Sequence, residues 1–109
     1  MAAREELVRL RAGTEAEAAT LAASLEALFS ASRDSNADDE HDPEGATIGF
    51  ERAQLISLLA AARERIAEVD EALGRVEAGT YGVCERCAEP IAAERLAARP
   101  FARFCIGCA

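Results

Sequence analysis

The sequence has no lysine, no tryptophan and only five aromatic residues, Phe29, Phe50, Tyr81, Phe101 and Phe104. Half of it is apolar, but alanine supplies much of that half. Such a composition favours helices and cannot build a large globular core. The missing lysine reads as the coding bias of a GC-rich genome, with no functional meaning. No apolar run approaches the roughly 20 residues that span a bilayer, so a membrane helix and membrane association are not expected. The opening Met-Ala-Ala-Arg-Glu-Glu lacks the charged-then-apolar pattern of a secretory signal. Both absences lead to the expectation of a cytoplasmic protein. Thiols stay reduced there, and paired cysteines bind metal more often than they form disulfides. The single histidine, His41, lies among acids and is expected to be a solvated loop side chain. No Ser–His–Asp or Cys–His constellation is assembled, so an enzyme is not expected.

Positive charge is scarce too. The net charge is −8. Residues 84–109 carry four arginines (Arg86, Arg95, Arg99, Arg103) against three glutamates (Glu85, Glu89, Glu94), which leaves −9 on residues 1–83. A chain so acidic repels nucleic acid phosphates, whose binding depends on neutralisation by basic side chains. Direct nucleic acid binding is therefore not expected, and a basic protein partner suits the charge better.

What the chain does have is two heptad seams. Leu7, Arg11, Thr14, Ala18, Leu21, Leu25 and Leu28 alternate at spacings of four and three, within a helix predicted over residues 4–30. Arg11 and Thr14 are its weak points. Residues 31–41 show no apolar period and are rich in Ser, Asn and Asp, which predicts a loop. Asp42-Pro43-Glu44 then signals a helix start, with Asp at the cap and Pro at the first helical position. The second seam runs through Ile48, Leu55, Leu59, Ala62, Ile66, Val69, Leu73 and Val76, with Arg52 in its one gap. Gly79 suits the helix C-terminus. Two such helices joined by a short polar loop predict an antiparallel hairpin in which each seam buries the other. The rival is pairing between molecules, but the loop length suits closure within one chain, so a monomer is expected.

The C-terminal segment carries Cys84-x2-Cys87-x17-Cys105-x2-Cys108. Two residues between cysteines let one tight knuckle present both sulfurs to one ion, and two knuckles complete a tetrahedral Zn2+ site. Redox pairs do not usually come in twos at this spacing, and disulfides would require export. One Zn2+ per chain is expected. Arg86, Arg95, Arg99 and Arg103 are candidates to offset the net −2 charge of a four-thiolate zinc centre. Tyr81, Ile91, Leu96, Phe101, Phe104 and Ile106 are expected to pack the module. The fold class is thus mostly α. An antiparallel two-helix coiled-coil hairpin over residues 1–79, with an acidic tip loop at about 31–46, precedes a four-cysteine zinc finger over residues 80–109.

Tyr81-Gly82-Val83-Cys84-Glu85-Arg86-Cys87, Ile91, Arg95-Leu96-Ala97-Ala98-Arg99-Pro100 and Cys105-Ile106-Gly107-Cys108 closely resemble the DksA/TraR family of C4 zinc fingers. The acidic-tipped hairpin is similar as well, so the resemblance covers about residues 34–108. It implies a transcription regulator that binds RNA polymerase through its secondary channel without contacting DNA. In that family the hairpin tip approaches the polymerase active site and the zinc module contacts the channel rim. The resemblance makes Asp39, Asp42 and Glu44 the partner-binding tip and Arg95 and Arg99 possible rim contacts.

The sequence also departs from the family. The family tip Asp-x-x-Asp-x-Ala is met here by Asp42-Pro43-Glu44-Gly45-Ala46-Thr47, which keeps the first Asp; a shifted frame pairs Asp39 with Asp42. Ala88 stands where the knuckle usually has glycine, so mild strain at a positive φ is expected. Members that respond to guanosine tetraphosphate use basic residues where this chain has Ala61, Glu68 and Ala109. Of that set only Arg99 is kept, which argues against alarmone binding. The alternative function is a zinc-stabilised interaction module whose partner is not RNA polymerase. A zinc enzyme needs an open coordination position, which four cysteines close.

Overall fold

The computed structural model of the chain describes the backbone of residues 2–34 and 43–109, and the side chains of residues 2–31 and 47–109. Among the described residues three helices follow in order: α1 (Ala2–Asp34), α2 (Pro43–Ala78) and α3 (Ala93–Ala98). Among the described residues the only β pairing is an isolated antiparallel bridge between Val83 and Pro90. No described helix is long and apolar enough to cross a membrane.

The helix ends follow local chemistry. Pro43 opens α2, where its missing N–H costs nothing and its fixed φ is already helical. At the other end Gly79 takes φ 76. There Gly79 N donates to Val76 O at 3.2 Å and Thr80 N to Arg75 O at 2.9 Å. This pair of bonds is the Schellman arrangement that satisfies the last carbonyls. Ala31–Asp34, expected in the loop, instead continue α1. Ala31 and Arg33 are strong helix formers, and the intervening serine costs only a few tenths of a kcal/mol. Helix α3 was not foreseen; six residues are too few to show a period.

Packing divides the chain into two compact units, one of Met1–Gly13 with Arg65–Ala109 and one of Thr14–Glu64. In the first, Leu7, Val69, Ala72 and Phe101 form the core, with Leu10, Leu73, Val76 and Tyr81 against it. Arg4 pairs with Glu77 and Arg11 with Asp70, so seven steps along α1 match seven back along α2. The pairing is antiparallel. In the second unit Thr14, Leu59 and Ala62 are buried. There Arg52 lies over the Phe29 ring at 5.9 Å.

Every predicted seam position is buried or half-buried, and Arg52, the gap, is exposed. Ala72 lies outside the seam yet is fully buried. It packs in the cluster that Phe101 completes, so α2 is covered there from a second side.

Candidate metal centre

The first knuckle is a tight reversal closed by backbone bonds. Cys84 N donates to Glu89 O at 2.8 Å and Ala88 N to Cys84 O at 3.0 Å. To make this turn Ala88 adopts φ 64, the left-handed conformation its Cβ disfavours. In the second knuckle Cys108 N and Ala109 N both donate to Cys105 O at 3.0 Å. The bond from Glu85 N to Arg103 O, 3.0 Å, ties the two knuckles together. Behind them Ile91 N donates to Gly82 O at 2.8 Å. A Cβ on Gly82, whose φ is 83, would stand 3.4 Å from Leu96 Cδ1.

These bonds gather the Sγ atoms of Cys84, Cys87, Cys105 and Cys108 within 4.8 Å of one another. Cys87 and Cys105 sulfurs are 3.7 Å apart. A zinc tetrahedron with Zn–S bonds of about 2.3 Å has S···S edges of about 3.8 Å. Four soft sulfur donors at that spacing fit one Zn2+. Cys84 is buried, Cys105 and Cys108 are half-buried, and Cys87 is exposed.

The thiols of Cys84 and Cys108 hold their protons unequally. Burial works against ionisation of Cys84, yet hydrogen bonds from the backbone of Cys105, Cys87 and Arg86 outweigh it and bring the thiol down to about 6. Cys108 is pushed up to about 12, first by its hydrogen bond with Cys105 and then by burial. A metal ion entering the cluster must displace the protons that remain, so its binding releases protons and weakens in acid.

The arginines prove to be braces. Arg86 Nη1 donates to Cys108 O at 3.1 Å and Arg95 Nε to Phe104 O at 2.9 Å. Arg103 Nε reaches Glu85 Oε2 at 2.9 Å. Arg86 and Arg103 also lie 5.1 and 4.9 Å from the centre of the Phe104 ring. Arg99 lies 5.4 Å from the Phe101 ring, which Arg65 approaches at 5.3 Å. They hold carbonyls, a carboxylate and ring faces, which fixes the knuckles in place.

Of the six apolar residues expected to pack the module, Ile91 and Phe101 are buried and Tyr81, Leu96 and Phe104 are half-buried. Ile106 is the correction, at 82% exposed. It sits at the apex of the second knuckle, where the tight turn points its side chain away from the core. With Pro90, Ala92, Arg95, Ala98 and Arg99 it lines an open, largely apolar cleft of about 580 Å³. Of the two suggested rim residues, Arg95 is half-buried and Arg99 exposed. Asp39, Asp42 and His41 lie outside the described residues, as does the side chain of Glu44.

Sequence reasoning missed Arg75. From the last turn of α2 it donates through Nη2 to Phe101 O at 3.2 Å, and its Nη1 lies 3.7 Å from Glu85 Oε1. Tyr81 OH donates to Pro100 O at 2.9 Å. Together these contacts fasten the cysteine module to the end of α2. A basic residue in a last helical turn was the available signal.

The model of the prokaryotic dksA/traR C4-type zinc finger matches residues 79–109. General stress protein 16O of Bacillus subtilis (strain 168) is 38% identical over 72 residues, which are 66% of this chain and 44% of that protein. The RNA polymerase-binding transcription factor DksA of Caulobacter vibrioides is 50% identical over 44 residues, 40% of this chain and 31% of that one. The chain thus spans less than half the length of the curated relatives it matches. Among solved structures, transcription factor DksA2 from Pseudomonas aeruginosa aligns with a TM-score of 0.81 and 31% identity, over 97% of this chain and 76% of that one.

Proposed function

The chain belongs to the DksA/TraR family of C4-type zinc fingers, and from that premise we propose that it is a bacterial transcription regulator that binds RNA polymerase through the secondary channel. It makes no direct contact with DNA. The observation that carries this reading is the likeness to DksA2 over 97% of the chain. In this reading Cys84, Cys87, Cys105 and Cys108 hold one Zn2+ and so order residues 80–109, while residues 1–79 form the arm that enters the channel. The charge of −9 on residues 1–83 suits entry into an electropositive nucleotide channel. Asp39, Asp42 and Glu44 act at the tip, and Arg99, which is exposed, meets the channel rim. The protein acts as a cytoplasmic monomer.

Purified protein is expected to displace other secondary-channel factors from RNA polymerase at micromolar concentration in low salt; absence of binding there sinks the reading. Asn caps a helix about as well as Asp, so Asp42→Asn removes one charge at little cost in helix propensity. It is expected to leave zinc content and melting temperature unchanged and to weaken the effect on transcription in vitro. If Asp42→Asn, Asp39→Asn and the double variant all regulate like the parent, the tip is not the effector. The altered tip, with Gly45 and Thr47 in place of the family's residues, favours a second reading. That reading is a zinc-stabilised interaction module with a different protein partner. Affinity capture read by mass spectrometry separates the two, according to whether polymerase subunits are recovered.

A further inference from the structure

Residues 14–64 carry eleven acids against three arginines, so the whole net charge of −8 falls on the unit Thr14–Glu64 and the rest of the chain balances to zero. Within that unit an open groove of about 530 Å³ runs between α1 and α2. Ala27, Leu28 and Ala31 of α1 and Leu55 of α2 make it largely apolar, and Glu51 is the one charged residue that lines it. The small side chains of Ala27 and Ala31 leave the seam residues Leu28 and Leu55 only half-buried. One turn further along α2, Leu58 is 45% exposed.

The chain itself shows what covers this side of α2. Two heptads on from Glu51, Leu55 and Leu58 stand Arg65, Val69 and Ala72, which repeat the same places on a seamed helix. There Val69 and Ala72 are 0% exposed and pack with Phe101, and Arg65 and Arg99 lie over the Phe101 ring. The cover is an aromatic side chain accompanied by an arginine. In the unit Thr14–Glu64 no described residue takes the part of Phe101, and Glu51 stands where the covered repeat has Arg65.

We propose that the groove docks a basic amphipathic helix of a protein partner, with an apolar side chain seated among Ala27, Leu28, Ala31 and Leu55 and an arginine or lysine on Glu51. Charge selects this occupant. A second copy of the chain would bring another unit of −8 against the first, and a nucleic acid would bring phosphates. A helix suits the shape, because apolar side chains one turn apart can follow a groove between two helices. The acidic surroundings would steer a basic partner in and reject an acidic one. The inference goes beyond the polymerase reading and does not depend on it.

The probe is a synthetic stapled helical peptide with leucines at i, i+3 and i+7 and arginines elsewhere. Its counterpart has glutamates in place of the arginines. Each is titrated into the full zinc-loaded chain, and the backbone amide signals are followed by nuclear magnetic resonance. The arginine peptide is expected to shift the signals of Ala27, Leu28, Ala31 and Leu55, and the glutamate peptide to shift none of them. Ala27→Arg puts a long cationic side chain into the groove from an exposed helical site that tolerates it, and should abolish the shifts. Glu51→Arg should weaken binding by at least about threefold, the worth of one exposed ion pair. Glu26→Arg makes the same change of charge two residues from both Ser24 and Leu28, on the far side of α1, and should weaken it less. The proposal is overturned if the arginine peptide leaves the groove signals unmoved, if the two peptides bind alike, or if Ala27→Arg binds like the parent. It is overturned as well if Glu26→Arg costs as much as Glu51→Arg, since overall charge would then explain the binding. Groove signals that move with protein concentration alone would place a second copy there, which also overturns it. The experiment uses no polymerase, so its failure leaves that reading standing.

Discussion

Phe101 belongs by sequence to the cysteine module, but its core partners Leu7, Val69 and Ala72 belong to α1 and α2. Truncating it therefore tests whether the module and the helix ends share one core. Its ring is only 8% exposed, and Arg65 and Arg99 lie over it at 5.3 and 5.4 Å. Removing a buried phenyl ring costs about 3–5 kcal/mol, the transfer term and the cavity together. Loss of the two cation–ring contacts adds to that. The Arg75 bond to Phe101 O uses the backbone and survives the change. In a domain of this size each kcal/mol moves the melting temperature by about 4–8 °C, so Phe101→Ala should melt at least roughly 12 °C lower. Far-UV circular dichroism follows the melt and metal analysis follows the zinc. Ile106→Ala is the control, because Ile106 is in the same module but 82% exposed. It should change stability by no more than about 0.5 kcal/mol. If the two variants melt alike, the shared core is not real.

Metal analysis should find one Zn2+ per chain, and Cys105→Ser should abolish tight binding; metal content near zero in protein purified under reducing conditions would refute the site. Because Phe101 joins the module to both helices, the same variant should lose more helical signal than the six residues of α3 can supply, and retained helicity would show the helix ends to be independent of the metal. Leu59→Ala should cost roughly 2–4 kcal/mol, for Leu59 is 6% exposed, while Glu17→Ala on the outer face should cost less than about 0.5 kcal/mol. Equal effects in denaturant titrations would mean the seam is misplaced. Ala88→Gly relieves a left-handed φ of 64 and should stabilise the loaded module by up to about 1 kcal/mol, read as slower zinc transfer to a chelator. Faster transfer would show that Ala88 carries no strain.

Much of the fold was legible because it rests on local rules. Chain spacing alone lets two Cys-x2-Cys knuckles converge on one ion, and the four sulfurs do converge. The seam positions were readable from a three-four period, which reports which face of a helix is buried. Gly79 and Ala88 were readable because a helix terminus and a knuckle each demand a positive φ, whatever surrounds them. What escaped was every question of partnership. An isoleucine type states what burial would gain, but Ile106 has no neighbour to bury it. Arg11 looked like a flaw until Asp70, 59 residues away, was placed beside it.

By itself, then, the sequence determined the metal-binding set, the helical arms and their buried faces, because each follows from spacing within a few turns of chain. The tertiary structure alone decided that Phe101 closes a core with both helices, that Arg75 and Tyr81 fasten the module to α2, and which arginines become braces. Those contacts join residues far apart in the chain. Their energies depend on distance and burial, which no local pattern encodes.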